Sequence, residues 1–140
     1  MKVDGGCYCG AITFEADIDP EQVRLCHCTD CQVMSGAPYR VNVPVPREKF
    51  RLRGTPKLFL KTADSGNRRW QAFCAECGSG IYSCAEQADP PVFTLRIGTI
   101  RQRAQLAPKT QQWCRSAMEW SADLNEIAVR FDGQPAGGVR

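Results

Sequence analysis

Seven of the nine cysteines in this 140-residue chain fall into three tight groups. They are Cys7-Tyr8-Cys9, Cys26-His27-Cys28-Thr29-Asp30-Cys31 and Cys74-Ala75-Glu76-Cys77. Cysteines this close in sequence do not easily meet disulfide geometry with one another, yet their spacing suits the ligands of a metal knuckle. An odd total also cannot pair completely. The start, Met1 to Gly6, lacks the apolar core of a signal peptide. The sequence therefore predicts the reducing cytoplasm, where clustered thiols bind metal or react more often than they cross-link. A metal that joins groups far apart in sequence decides which segments must meet in the fold.

The rest of the chain sets the frame. Its length predicts one zinc-binding domain over residues 1–132, followed by a flexible tail over 133–140. A composition of 43% hydrophobic and 24% charged residues excludes disorder as the main state. No apolar run is long enough for a membrane helix. Basic residues are dispersed and the net charge is only +3, so neither nucleic acid nor membrane is expected as a partner. The chain is expected to be a monomer or a homodimer.

Short β-type runs punctuated by turn residues dominate. They cover 11–16, 23–26, 39–45, 57–60, 69–73, 81–84, 93–98 and 127–131, with a turn at 63–67. Pro44 marks its strand as an edge or a strand end. Helical signals are confined to single turns near 19–22 and 46–50 and a short helix over 116–124. The expected class is mostly β, with few short helices.

Cys7, Cys9, Cys74 and Cys77 form a four-thiolate tetrahedral set, the usual closed structural zinc site. Each pair is followed by a glycine, Gly10 or Gly78, which permits a tight bend. Cys26, Cys28 and Cys31 supply only three thiolates. Three ligands and an open position are the pattern of a catalytic zinc, where a thiol or a carbonyl oxygen enters. The alternative is a second closed site completed by His27, Asp30, Cys84 or Cys114. Cys84 lies in an apolar run and reads as a buried small hydrophobe. With both zincs bound, the thiolates would bring the chain near neutral.

In this order the clusters resemble the glutathione-dependent formaldehyde-activating enzyme family. The matching elements are G-G-C-Y-C-G at 5–10, C-H-C-T-D-C-Q at 26–32, S-G-A-P at 35–38 and F-C-A-E-C-G-S at 73–79. An apolar strand at 97–100 and the Trp113 to Trp120 segment continue the likeness. The resemblance implies a tent-like β fold of short antiparallel sheets stapled by zinc. It implies two Zn2+ sites: a structural one on Cys7, Cys9, Cys74 and Cys77, and a labile or catalytic one on Cys26, Cys28 and Cys31. It further implies a carbon–sulfur lyase-like enzyme that adds a thiol such as glutathione to formaldehyde or another small carbonyl compound, or the reverse. Trp113, Arg68, Arg69 and Arg115 are candidates to line a pocket for an anionic peptide thiol. Gln32 stands where the family commonly has a basic residue, and Gln111 and Gln112 stand where it often has His. These departures leave room for a different substrate. The competing expectation is a non-catalytic, zinc-stabilised protein-binding or chaperone-like module.

Overall fold

The computed structural model describes residues 1–63 and 65–135. Its strands are β1 (Lys2–Gly6), β2 (Thr13–Asp17), β3 (Arg24–Cys26), β4 (Arg40–Pro46) and β5 (Phe50–Arg53). They continue with β6 (Lys57–Thr62), β7 (Arg68–Phe73), β8 (Gly80–Ala85), β9 (Val92–Arg96) and β10 (Thr110–Gln112). The one α-helix among the described residues is α1 (Thr29–Ser35). The mostly β class is as the sequence predicts. None of the described helices is long and apolar enough to cross a membrane.

The strands make two sheets: β1-β2-β5, and β10-β3-β4-β9-β8-β7-β6. Pairing is antiparallel except that β10 lies parallel to β3, so the larger sheet is mixed rather than wholly antiparallel. The period-two alternation of the sequence sorts side chains between faces. Val43 and Val45 of β4, Leu95 of β9 and Tyr82 of β8 turn inward, and Phe14 and Ala16 of β2 meet them. Phe50 of β5 joins the layers, with ring centroids 5.9 Å from Phe14, 5.7 Å from Tyr82 and 5.0 Å from Phe93. Such tilted and edge-on contacts suit aromatic quadrupoles. Cys84 is buried in this core, as expected.

β1 is also tied to the loop after β9. Asp4 pairs with Arg101 and accepts from Gln102 Nε2 at 2.7 Å, and Gly5 bridges to Ile100. A Cβ on Gly5 would overlap the Thr99 carbonyl oxygen and stand 2.6 Å from Phe14 Cζ. Gly5→Ala is therefore expected to cost about 1–3 kcal/mol, read as a lower urea midpoint with an unchanged slope.

Several expectations need correction. Residues 127–131 form no strand: Ile127, Val129 and Phe131 are exposed and find no partner strand among the described residues. Propensity without a partner does not make a strand. Residues 116–124 form no α-helix but a tight 3-10 turn at Glu119–Ser121, flanked by others at Cys114–Ser116 and Leu124–Glu126, and 97–99 is another such turn rather than a strand. Pro44 lies on a strand inside the sheet order. Pairing with β3 stops at Asn42, however, so Pro44 sits where β9 alone flanks β4. The 63–67 turn closes the β6–β7 hairpin, with Ala63 N–H donating to Asn67 at 2.9 Å. Its Asp64, and residues 136–140 of the expected tail, lie outside the described residues.

Candidate metal centres and the adjoining cavity

The Sγ atoms of Cys7, Cys9, Cys74 and Cys77 all lie within 4.8 Å of one another. Two tight turns place them. The first follows β1, where Gly10, at φ 82°, returns its N–H to the Cys7 carbonyl at 3.2 Å. Cys7 and Cys9 therefore meet through a turn and not through the alternation of a strand. The second turn is the tip of the β7–β8 hairpin. There Gly78, at φ 74°, donates to the Cys74 carbonyl at 2.9 Å. Left-handed backbone is where glycine is needed. Tyr8 N–H donates to Ser79 Oγ at 3.1 Å and links the turns.

These donors fit zinc. Four sulfurs at a Zn–S distance of about 2.3 Å in a tetrahedron stand about 3.8 Å apart. Here Cys7 and Cys9 are 3.6 Å apart, and Cys9 and Cys74 are 3.7 Å apart. Charge makes the same demand. Hydrogen bonds from the Ser79 hydroxyl, then from the Ser79 and Cys9 N–H groups, hold the Cys77 thiol down to about 5. At Cys9 the Ala11 N–H lowers the thiol, yet Cys7 and the other sulfurs drive it up to about 12. Four thiols this close cannot all ionise without a cation among them.

The second group is Cys26, Cys28 and Cys31, whose Sγ atoms also fall within 4.8 Å of one another. Cys26 ends β3, Cys28 caps α1 and Cys31 lies in the first helical turn. The Cys31 N–H donates to Cys28 Sγ at 3.4 Å. Gly36, at φ 62°, closes the helix. The sequence reading missed this helix because a cysteine serves as its cap. Burial pushes Cys31 up to about 12, with the Cys28 thiol adding to it.

No fourth side chain joins this group among the described residues. Cys84 is in the core, and Cys114 is exposed beside Trp113. Asp30 pairs with Lys61 of β6. His27 is buried, with Nε2 3.0 Å from Gln111 Oε1 and its ring edge-on to Tyr39. An amide oxygen accepts, so Nε2 carries the proton and Nδ1 is left buried without a partner. Two of the three glutamines that depart from the family pattern, Gln111 and Gln32, converge here. Gln111 holds the His27 ring, while Gln32 Nε2 donates to the carbonyls of His27 at 2.8 Å and Ser116 at 2.9 Å.

Cys26 and Cys31 open onto a cavity of about 550 Å³ on the polar face of the large sheet. The alternation that sends Val43, Leu95 and Tyr82 inward sends Asn42, Arg96 and Ser83 to this face. Arg24, Arg40, Lys61, Arg69 and Arg96 line it, against Asp30 as the single carboxylate. Of the pocket residues expected from sequence, only Arg69 is here. Arg68 points away and pairs with Glu86 at 3.2 Å. Trp113 is exposed, with Arg115 4.7 Å over its ring, in a shallow depression that shares Gln112 with the cavity. Cations dispersed along the sequence thus converge in space, through register that no single strand displays.

The sequence model of the glutathione-dependent formaldehyde-activating enzyme family matches residues 2–116. The chain belongs to this family. No curated protein matches it in sequence. A crystal structure of a Rhodobacter sphaeroides protein is similar in fold at a TM-score of 0.59 and 18% identity, covering 77% of this chain and 98% of that one. Both cysteine groups of this family member can hold metal ions and are compatible with zinc.

Proposed function

We propose that the protein is a zinc-dependent carbon–sulfur lyase-like enzyme that joins a thiol, glutathione in the first instance, to formaldehyde or a similar small carbonyl compound. The observation that carries this reading is a three-cysteine group that opens, with no fourth ligand among the described residues, onto a cavity large enough for a small peptide. In this reading Cys7, Cys9, Cys74 and Cys77 hold a structural zinc. Cys26, Cys28 and Cys31 hold a second one and leave one position free. When bound there, zinc lowers the pKa of a thiol and polarises a carbonyl oxygen.

The chain's own residues set the geometry. β3 and α1 present Cys26 and Cys31 to the cavity, and Gln32 fixes the His27 carbonyl between Cys26 and Cys28. The cavity holds the thiol against this corner, which turns an encounter of two small molecules into a positioned one. In the reaction a bond forms between the thiol sulfur and the carbonyl carbon. The thiol proton ends on the carbonyl oxygen, giving S-hydroxymethylglutathione from formaldehyde. The reading also calls for a compartment that keeps the cysteines reduced, such as the cytoplasm.

The test follows formaldehyde loss by NMR with glutathione present. Zinc-loaded protein is expected to exceed the spontaneous rate, and protein with its labile zinc removed by a mild chelator is expected to match it. A loaded protein that matches the spontaneous rate would remove the assignment.

A further inference from the structure

The cation excess in the cavity identifies the kind of thiol. Among the described residues, Arg24, Arg40, Arg69 and Arg96 have no carboxylate within ion-pair distance; the cavity's one acidic group is taken by Lys61. Arg96 is held in place by neutral acceptors, Asn42 Oδ1 at 2.5 Å and Gln71 Oε1 at 2.7 Å. Arg40 Nη1 reaches the same Gln71 oxygen at 3.4 Å. Two guanidinium groups thus converge on one amide oxygen. Like charges at such range repel unless an anion lies between them.

Position matters as much as charge. Arg40 is the cross-strand partner of Cys26, so the anchor of the cation cluster lies next to the metal corner. Arg69 and Gln71 stand two residues apart on β7 and share the polar face. The planar fork of arginine matches a carboxylate with two parallel hydrogen bonds. The holding of Arg96 by Asn42 and Gln71 fixes its fork before any ligand arrives, which lowers the ordering cost on binding.

We propose that Arg40, Arg69 and Arg96 form a carboxylate-binding site that selects an anionic thiol for the three-cysteine centre. This rests on the thiol–aldehyde reading of that centre. It adds that neutral thiols are poor substrates, because they leave the guanidinium groups unpaired in a partly enclosed site.

The decisive probe is S-methylglutathione, whose blocked sulfur cannot act as a thiolate ligand, titrated calorimetrically into zinc-loaded protein. The wild type is expected to bind it, and to bind its diethyl ester at least about tenfold more weakly, because charge-assisted hydrogen bonds to carboxylates are lost. Arg40→Gln and Arg69→Gln, on different strands, are each expected to weaken the free acid by about tenfold. Arg68→Gln, outside the cavity, is expected to leave binding unchanged. Zinc content and melting temperature accompany each variant, and the ester comparison on the wild type stands even where a variant fails to fold. Equal affinity for acid and ester, wild-type affinity in both variants, or no binding by the wild type would each overturn the site. The two readings separate cleanly. Charge-dependent binding without accelerated formaldehyde loss removes the reaction and keeps the anion site. Acceleration that is equal with glutathione and β-mercaptoethanol does the reverse.

Discussion

Cys74→Ser is expected to abolish the cooperative unfolding transition, even in excess zinc. Cys74 is 1% exposed and sits at the tip of the β7–β8 hairpin, against Cys7 and Cys9 from the turn after β1. A zinc ion bound there would join the three-stranded sheet to the seven-stranded one. Binding at such a site contributes on the order of 10 kcal/mol, comparable to the whole stability of a domain. The other ties of β1 are weaker. The half-exposed Asp4–Arg101 pair adds at most about 1 kcal/mol, and each hydrogen bond between Asp4 and Gln102 about as much. They do not replace the metal. Thermal unfolding followed by circular dichroism, together with zinc content, reads the outcome. Cys114→Ser, on an exposed thiol, is the matched control and should stay within about 0.5 kcal/mol of wild type. A Cys74→Ser protein that melts within a few degrees of wild type would show that the sheets hold without this zinc.

Much of the fold could be read because one period recurs. Residues 40–45 alternate so regularly that β4 is legible almost to its ends, and the turn residues at 63–67 locate the β6–β7 hairpin. What escaped reading depends on partners. β1 is rich in glycine and charge and becomes a strand because β2 pairs with it along its whole length. β10, Thr110–Gln112, has no apolar residue and exists because β3 offers it a parallel edge. The reverse failure is 127–131, where a good strand pattern meets no partner among the described residues.

The same division runs through the site. The cysteine groups were visible because metal ligands cluster in sequence as well as in space, and the structure brings each set within 4.8 Å. The cavity was invisible for the opposite reason. Arg24, Arg40, Lys61, Arg69 and Arg96 come from five different strands, and each looks like an ordinary surface cation in its own segment. A signal was nevertheless present. In β4 and β9 the cations alternate with core residues, as in Arg40-Val41-Asn42-Val43 and Thr94-Leu95-Arg96. A strand inside a sheet that alternates arginine with valine or leucine has a second, polar face, on which cations of neighbouring strands can meet, as they do in this cavity. The expectation drawn from Arg68 and Arg115 failed because proximity in sequence to a cysteine group or a tryptophan says nothing about which face a residue takes.

Cys31→Ser is expected to separate chemistry from folding. Among the three cysteines it has the smallest structural duty. Cys26 is buried at the end of β3, between the pairing of β4 and β10. Cys28 accepts the Cys31 N–H as the cap of α1. The Cys31 side chain opens to the cavity, and its backbone N–H is unaffected by the substitution. Zinc bound per chain should fall from two to one, while the melting temperature stays within a few degrees of wild type. Loss of partners that merely orient metal ligands costs about 10–100-fold in affinity or activity, so loss of a ligand itself should cost more. Formaldehyde consumption with glutathione should then return to the spontaneous rate. Binding of S-methylglutathione should persist in this variant, because the arginine face is intact. One lost zinc with retained anion binding and no rate acceleration would assign chemistry to the cysteines and selection to the sheet. Full activity in Cys31→Ser with a single bound zinc would place the reaction elsewhere on the molecule.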